Sequence, residues 1–184
     1  SNGSSVVERL KTPSGTSSVP FSFSPDGKWI SIHRNEQITG YDIWVIPVER
    51  SGDGMQLGTP VALMRQAGVQ AAPTISPDGK WLAYGSDDET GQMEVYVIPF
   101  RPKGTAQVVK RLVSSGGGRG PRWSLGSNEM FYRAPDESLM VAPIDLQGNS
   151  FHASKPRLWS RKVLSRVGPM PTFDLAGDGK RFLD

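Results

Sequence analysis

Three stretches of the chain carry apolar side chains at consecutive positions, where a one-faced strand would alternate apolar and polar. They are residues 43–47 (IWVIP), 95–99 (VYVIP) and 139–143 (LMVAP), and they follow one another at steps of 52 and 44 residues. A strand that is apolar at successive positions is covered on both faces. The pattern therefore predicts buried strands inside stacked sheets. The shared proline is expected to end each strand, because it lacks a ladder donor.

A second pattern, a polar turn between two β-forming segments, precedes each of these runs. It is clearest at residues 75–84 (ISPDGKWLAY) and 23–30 (FSPDGKWI), and it is more divergent at 123–132 (WSLGSNEMFY) and 175–183 (LAGDGKRFL). Proline presets the first corner of the turn, aspartate bonds local backbone amides, and glycine adopts a positive φ before the next strand. Each copy predicts an antiparallel hairpin.

The hairpins recur at nearly constant spacing. Ser24, Ser76, Ser124 and Ala176 occupy equivalent positions, at steps of 52, 48 and 52 residues. Periods of roughly 40 to 50 residues with several short strands per unit are typical of propeller blades. We therefore predict an all-β fold, a β-propeller segment of four-stranded antiparallel blades.

The predicted organisation is about three full blades with partial blades at both ends. Complete units are expected at residues 19–65, 71–113 and 120–161, and a partial unit at 171–184. Residues 6–12 resemble the outer strand of a preceding blade. The first five residues, SNGSS, resemble a tag remnant or a disordered start.

Composition agrees with a soluble globular protein whose 21 glycines and 15 prolines fall in turns. The absence of cysteine excludes disulfides, thiolate metal sites and a cysteine nucleophile. The net charge of +3 is modest, and the positive residues are scattered, so no nucleic-acid partner is expected. No apolar stretch is long enough for a membrane span.

The repeated SPDGK-type hairpin, followed by a strand that opens with an aromatic residue, resembles the TolB-type, WD-like propeller repeats of bacteria. A narrower likeness covers residues 116–124, 130–133, 139–143, 155–159, 173–175 and 182–183. These segments resemble the C-terminal propeller region of bacterial eukaryotic-like serine/threonine kinases. The resemblance implies a sensor or scaffold role and favours a periplasmic or extracytoplasmic location. The catalytic motifs of a kinase are absent from this sequence.

Several residues that could suggest chemistry have simpler structural explanations. The repeated aspartates Asp26, Asp78 and Asp178 are predicted to form their turns and not to bind calcium. The histidines, His33 and His152, accompany no serine elbow and are predicted to be structural. The acidic residues 87–89 are interpreted as a solvated turn, and the glycine-rich stretch at 116–120 precedes a strand, so neither predicts a metal or phosphate site. We expect no cofactor, no metal and no catalytic residue.

The remaining functional candidate is a charged rim. In propellers, the loops between blades and those between second and third strands gather near the mouth of the central channel. Arginine suits carboxylate or phosphate groups of a partner. The predicted partner-binding rim comprises Arg65, Arg119, Arg122 and Arg166, with Asp87 and Asp88 nearby. Four tryptophans are predicted to pack between blades, namely Trp29, Trp44, Trp81 and Trp123.

These patterns favour a non-catalytic scaffold that presents loops to a protein, peptide or small ligand. An alternative is the accessory gating propeller of a serine peptidase whose catalytic domain lies elsewhere. A lyase or hydrolase acting at the ring mouth has the least support, since no paired acid and base is visible. Exposed blade edges could also pair with a second copy of the chain.

Overall fold

The fold was analysed in a computed structural model, which describes residues 17–51, 54–103, 109–125, 128–148, 150–161, 174–176 and 181–183. These residues form strands, turns and connections, and no helix occurs among them. The first sheet contains β1 (Ser18–Phe23), β2 (Trp29–Glu36), β3 (Gly40–Ser51), β4 (Gly54–Leu57) and β5 (Val61–Met64). The second contains β6 (Gln70–Ile75), β7 (Trp81–Ser86), β8 (Glu94–Pro99) and β9 (Arg111–Leu112).

The third sheet contains β10 (Arg119–Trp123), β11 (Glu129–Arg133), β12 (Leu139–Gln147), β13 (Ser150–Ala153) and β14 (Arg157–Ser160), and a last pair consists of β15 (Asp174–Leu175) and β16 (Phe182–Leu183). Within each large sheet the strands pair antiparallel in chain order, and β5 and β14 complete their sheets by pairing with β3 and β12. We call the three large sheets blades 1, 2 and 3, and the last pair blade 4.

Backbone hydrogen bonds confirm the register of the repeat. The amides of Ser24, Ser76, Ser124 and Ala176 each donate to the carbonyl five residues later, at 2.8, 2.9, 3.0 and 2.8 Å. In blades 1 and 2 the serine hydroxyl also donates to the turn aspartate, and Gly27 and Gly79 adopt φ of +68° and +71°. The turn chemistry predicted for Asp26 and Asp78 is therefore confirmed, whereas Asp178 lies outside the described residues. Hydrogen bonds from Ser24 and the Lys28 amide lower the pKa of Asp26.

The blades pack face to face. The apolar runs of the third strands are buried, as predicted, with Ile43, Val45, Val97 and Leu139 fully excluded from solvent. One core cluster lies between blades 1 and 2 and contains Ile43, Met64, Leu82, Tyr84 and Ile98. A second cluster lies between blades 2 and 3 and contains Trp81, Val97, Trp123, Met130 and Phe151. A stack of sheets covered on both faces is the arrangement predicted from the consecutive apolar positions.

The third strands of blades 1 and 3 do not end at their prolines, so the prediction that proline stops each strand is wrong there. Beyond Pro47, β3 continues to Ser51 and pairs with β4, and beyond Pro143, β12 continues to Gln147 and pairs with β13. Each proline lacks an N–H, but its carbonyl still accepts a bond, from Gly58 or Ser154. Only in blade 2 does the strand end at its proline. We call β3–β4 and β12–β13 beyond these prolines the extension hairpins.

The tryptophans divide into two groups. Trp81 and Trp123 are buried between blades 2 and 3, and Trp29 packs against the cluster between blades 1 and 2. Trp44 is different, because it lies at another repeat position and belongs to none of the described clusters. Its ring contacts the guanidinium groups of Arg34 and Arg65, at 4.6 and 5.8 Å from the ring centroid. The prediction that Trp44 packs between blades in the manner of Trp81 is therefore not supported by its contacts.

Candidate functional site

The turns between second and third strands and the connections between blades lie at the same end of the sheets. We call this end the loop face, and the opposite end, which carries the turns at residues 24–28 and 76–80, the hairpin face. At the loop face, the Val69 amide donates to Asp87 Oδ1 at 2.7 Å, and the Asp87 amide donates to the Val69 carbonyl at 3.3 Å. These bonds join a turn of blade 2 to the connection from blade 1. Gly118 donates to the Met93 carbonyl at 2.7 Å and joins the next connection to the same turn. These bonds hold the blade 2 turn against the connections on either side of it.

Blades 1 and 2 each carry a buried carboxylate near the start of the third strand, and the one in blade 2 bonds the connection to blade 3. Glu94 accepts a bond from the Gly117 amide at 2.9 Å and a short one from the Ser114 hydroxyl. Asp42, at the equivalent position, is fully buried, accepts a bond from Thr39 Oγ1 at 2.5 Å and lies 3.8 Å from Arg65 Nε. Burying a carboxylate is unfavourable unless hydrogen bonds or charges compensate it. Glu94 therefore ties the connection after blade 2 to β8, whereas Asp42 bonds the turn before β3 and lies beside Arg65 of the connection after blade 1.

Arg119 lies at the loop face and takes part in a three-member ion cluster. Its guanidinium pairs with Glu137 Oε1, and the second oxygen of Glu137 lies 2.8 Å from Arg133 Nη2. Arg133 is buried, whereas the Arg119 side chain remains 41% exposed. Glu137 has φ of +67°, a conformation that non-glycine residues seldom adopt. Of these three side chains, Arg119 is the one that reaches solvent.

Arg65 is the second exposed arginine of the predicted rim. Its side chain is 55% exposed and lies over Trp44 in the connection from blade 1 to blade 2. Asp42 is its acidic neighbour, and a separation of 3.8 Å leaves the guanidinium able to contact a further acceptor. Arg65 thus lies in the connection after blade 1, and Arg119 begins β10 directly after the connection from blade 2.

The other predicted rim residues differ from these two. Asp87 and Asp88 have structural roles: Asp87 caps the Val69 amide, and Asp88 accepts a bond from Ser86 and pairs with Lys110. Arg122 lies inside β10, three residues beyond Arg119 and so about 10 Å further along the strand. Its guanidinium donates to the Pro121 carbonyl. Arg166 lies outside the described residues.

Burial moves the pKa values of two tyrosines and a histidine in this part of the chain further from neutral pH. Burial, with Glu89 nearby, raises the pKa of Tyr96 to about 12, and burial raises the pKa of Tyr132 to about 12. Burial between Phe21 and Tyr41 lowers the pKa of His33 to about 4. A general base or acid works best with a pKa near the operating pH. Within the described ranges, no group of three or more His, Asp or Glu side chains is arranged to hold a metal ion.

The pKa of His33 predicts a pH dependence of stability. The His33 imidazole takes up a proton near pH 6.5 in the unfolded chain but only near pH 4 in the folded chain. The free energy of unfolding therefore has its full value above pH 6.5 and falls as the pH is lowered towards 4. We expect a loss of about 3 kcal/mol over this window. Urea unfolding at several pH values should show a flatter profile for His33→Phe than for the parent. His152→Gln, at an exposed position of β13, should keep the parent profile, and equal slopes for His33→Phe and the parent would contradict the assignment.

Two features of the structure were not predicted from the sequence. The Arg133 and Glu137 pair follows from a tight turn at residues 134–138, where Asp136 accepts bonds from the amide and hydroxyl of Ser138. The Pro-Asp-Glu-Ser sequence of that turn is the available signal. The extension hairpin of blade 3 could have been recognised from its Gln-Gly-Asn-Ser turn, since glycine and asparagine favour two-residue hairpin loops.

No family model matches the sequence, and no curated protein matches it. Among solved structures, the "putative TolB" of Agrobacterium tumefaciens is similar, with a TM-score of 0.54 and 23% sequence identity. The match covers 77% of this chain and 50% of that protein, so the chain spans about half of its length. In the part of the chain that the structure describes, no helix is long and apolar enough to cross a membrane. The chain therefore has the all-β, bladed fold of a TolB-like β-propeller.

Proposed function

We propose that this chain is a non-catalytic propeller scaffold that binds a protein, peptide or small ligand through its loop face. We further propose that it is the sensory or scaffolding part of a larger bacterial signalling protein, such as a serine/threonine kinase. The observation that carries the binding role is the placement of two exposed arginines, Arg65 and Arg119, at one face.

The chemistry of this face favours an acidic partner. A guanidinium group presents several N–H donors in a fixed plane, which suits carboxylate and phosphate groups. The connection that carries Arg65 is bonded to blade 2 through Val69 and Asp87, and the connection that leads to Arg119 is bonded to Glu94 through Gly117. Because these loops are already ordered, little conformational entropy is lost when a partner binds.

The absence of catalysis is proposed on chemical grounds. Among the described residues, the phenols of Tyr96 and Tyr132 stay protonated and His33 stays neutral near pH 7, because burial moves each pKa away from neutrality. A reaction that needs proton transfer at this pH would have to use other groups.

The arginines can be tested with a synthetic tetra-glutamate peptide as the probe. We expect the double variant Arg65→Ala/Arg119→Ala to bind this peptide about 5- to 10-fold more weakly than the parent, because two charge-assisted contacts are removed. Binding by the parent should also weaken as salt is raised. Isothermal titration calorimetry at low ionic strength provides the measurement.

The control is Lys28→Ala, which removes a more exposed positive charge from the hairpin face. This variant should bind the peptide as the parent does. Equal affinities for the parent and the double arginine variant would contradict a loop-face site, and a loss caused by Lys28→Ala would indicate attraction by net charge alone.

The kinase association is supported by the likeness of residues 116–124 and the later segments to kinase-linked propellers. Sequencing of the complete gene tests it. We expect a kinase catalytic segment in the same reading frame. A serine elbow of an α/β-hydrolase in that frame would instead favour a peptidase-associated propeller.

A further inference from the structure

A cleft opens on the hairpin face, between blades 2 and 3 and away from the arginines described above. Its volume is about 280 Å³. Pro77 and Asp78 of the blade 2 turn form one wall. Trp123, Ile144 and Leu146 line it with apolar surface. The extension hairpin of blade 3, which carries Leu146, thus contributes to this recess.

The blade 3 turn differs in sequence from the turns of blades 1 and 2 at the edge of the cleft. Between blades 1 and 2 the turns touch, since a methyl group added at Gly79 would lie 3.5 Å from Pro25 Cδ. In blade 3, Leu125 stands at the position of Pro25 and Pro77, and it is 67% exposed. An exposed apolar side chain therefore lies at the edge of the cleft, where the other two turns have proline.

The two carboxylates of the cleft differ in how fully they are engaged. Asp78 accepts bonds from the Ser76 hydroxyl and the Lys80 amide, at 2.6 and 3.1 Å, and both reach the same oxygen, Oδ1. The equivalent Asp26 has an ion pair in addition, with Lys28 Nζ 3.8 Å from its second oxygen. Glu129 pairs with Arg157 at 3.1 Å. Among the described residues, Asp78 makes no ion pair, so its Oδ2 can accept a bond from a ligand.

Size and charge together restrict what the cleft can hold. A volume of about 280 Å³ lies at the lower end of the range for ligand pockets, and it suits one or two side chains better than a cofactor. The apolar lining and exposed Leu125 favour an aliphatic side chain. The carboxylate of Asp78 on the wall favours a cationic group beside it.

We propose that this cleft docks a peptide segment of a partner protein in which an apolar side chain is followed directly by Lys or Arg. The apolar side chain lies against Trp123, Ile144 and Leu146, and the cation pairs with Asp78 Oδ2. This site is separate from the loop face, so a scaffold with both would hold an acidic partner at one face and a basic segment at the other.

The test uses two dipeptides, N-acetyl-Leu-Lys-amide and N-acetyl-Leu-Glu-amide, titrated into the whole chain. Binding is followed by NMR, through the indole N–H resonance of Trp123 and the amide of Leu125. We expect the Leu-Lys peptide to bind with a Kd on the order of 1 mM. The Leu-Glu peptide should bind about 10-fold more weakly, because its carboxylate faces Asp78.

Asp78→Asn is the informative variant, because an asparagine oxygen can still accept the two turn bonds while the charge is removed. It should weaken binding of the Leu-Lys peptide about 3- to 5-fold and leave the melting temperature nearly unchanged. Asp26→Asn changes the same residue type in the same turn of blade 1, and it should leave peptide affinity at the parental value. Arg65→Ala/Arg119→Ala should also bind the Leu-Lys peptide normally, which separates this site from the loop face.

Several results would overturn the proposal. One is equal affinity for the two dipeptides, which would indicate a purely apolar recess. A second is a shift of the Trp123 resonance with protein concentration and no response to peptide, which would indicate that another copy of the chain occupies the cleft. A third is equal weakening by Asp26→Asn and Asp78→Asn. No response of Trp123 and Leu125 at 20-fold excess over the expected Kd would also exclude the site.

Discussion

Replacing Trp81 by alanine is expected to lower the free energy of unfolding by about 3 to 5 kcal/mol. Trp81 is only 2% exposed, and its ring centroid lies 5.5 Å from that of Phe151 in the core between blades 2 and 3. Removing the ring leaves a cavity in the cluster that also contains Trp123 and Met130, so both transfer and packing energy are lost. Urea unfolding followed by circular dichroism measures the loss as a lower midpoint with an unchanged slope.

Two further variants define the cause of that loss. The Trp81 indole N–H makes no hydrogen bond among the described residues, so Trp81→Phe should cost less, about 1 to 2 kcal/mol, since only ring volume is removed. Trp44→Ala should also cost less than Trp81→Ala, because Trp44 is half-buried and lies outside the core clusters. A Trp44→Ala loss as large as that of Trp81→Ala would show that the core assignment is wrong.

The second large effect is expected at Gly117, where alanine should destabilise the chain by about 2 to 4 kcal/mol. Gly117 has φ of +100°, and a Cβ atom there would lie 2.5 Å from Pro135 Cγ and closer still to the Gln92 side-chain amide. Its N–H also donates to the buried Glu94 carboxylate at 2.9 Å. Relief of the clash would have to move this connection and weaken that anchor.

The adjacent Gly116 is a matched control. It also has a positive φ, +78°, but a Cβ atom there would meet nothing within 4 Å. Gly116→Ala should therefore cost only the left-handed backbone penalty, about 1 kcal/mol. Thermal unfolding of the two variants side by side gives the comparison. Equal losses would mean that backbone conformation, and not the approach of Pro135, makes glycine necessary at Gly117.

Much of the fold was predictable because its signals are local. The turn at Ser24 and its copy at Ser76 are formed by bonds that span at most five residues, so the residues that make the turn also lie within the repeated sequence. The burial of the third strands followed from their consecutive apolar positions, since a strand with both faces covered has no solvent side. The length of those strands was not predictable in this way. The apolar run of β3 ends at Pro47, but the strand continues beyond it because it pairs there with β4.

The candidate site was predictable only in part. Arg65 and Arg119 were expected at the loop face from their positions between strands, and they are exposed there. The partner of Arg119 was not expected, because Glu137 lies 18 residues away and reaches it through a separate turn. Asp87 and Asp88 were expected to lie near a rim as acidic groups, yet each is engaged in holding the loops together.

The sequence by itself determined the repeated hairpins, their register and the all-β bladed fold, because each of these depends on residues close together in the chain. Only the tertiary structure decided which charges stay exposed at the loop face and where a cleft opens at the hairpin face. Both depend on contacts between separate blades, such as Gly79 against Pro25 and Trp123 against Thr74, whose partners are about 50 residues apart. Local patterns carry no information on which of those surfaces meet, since packing between sheets selects them.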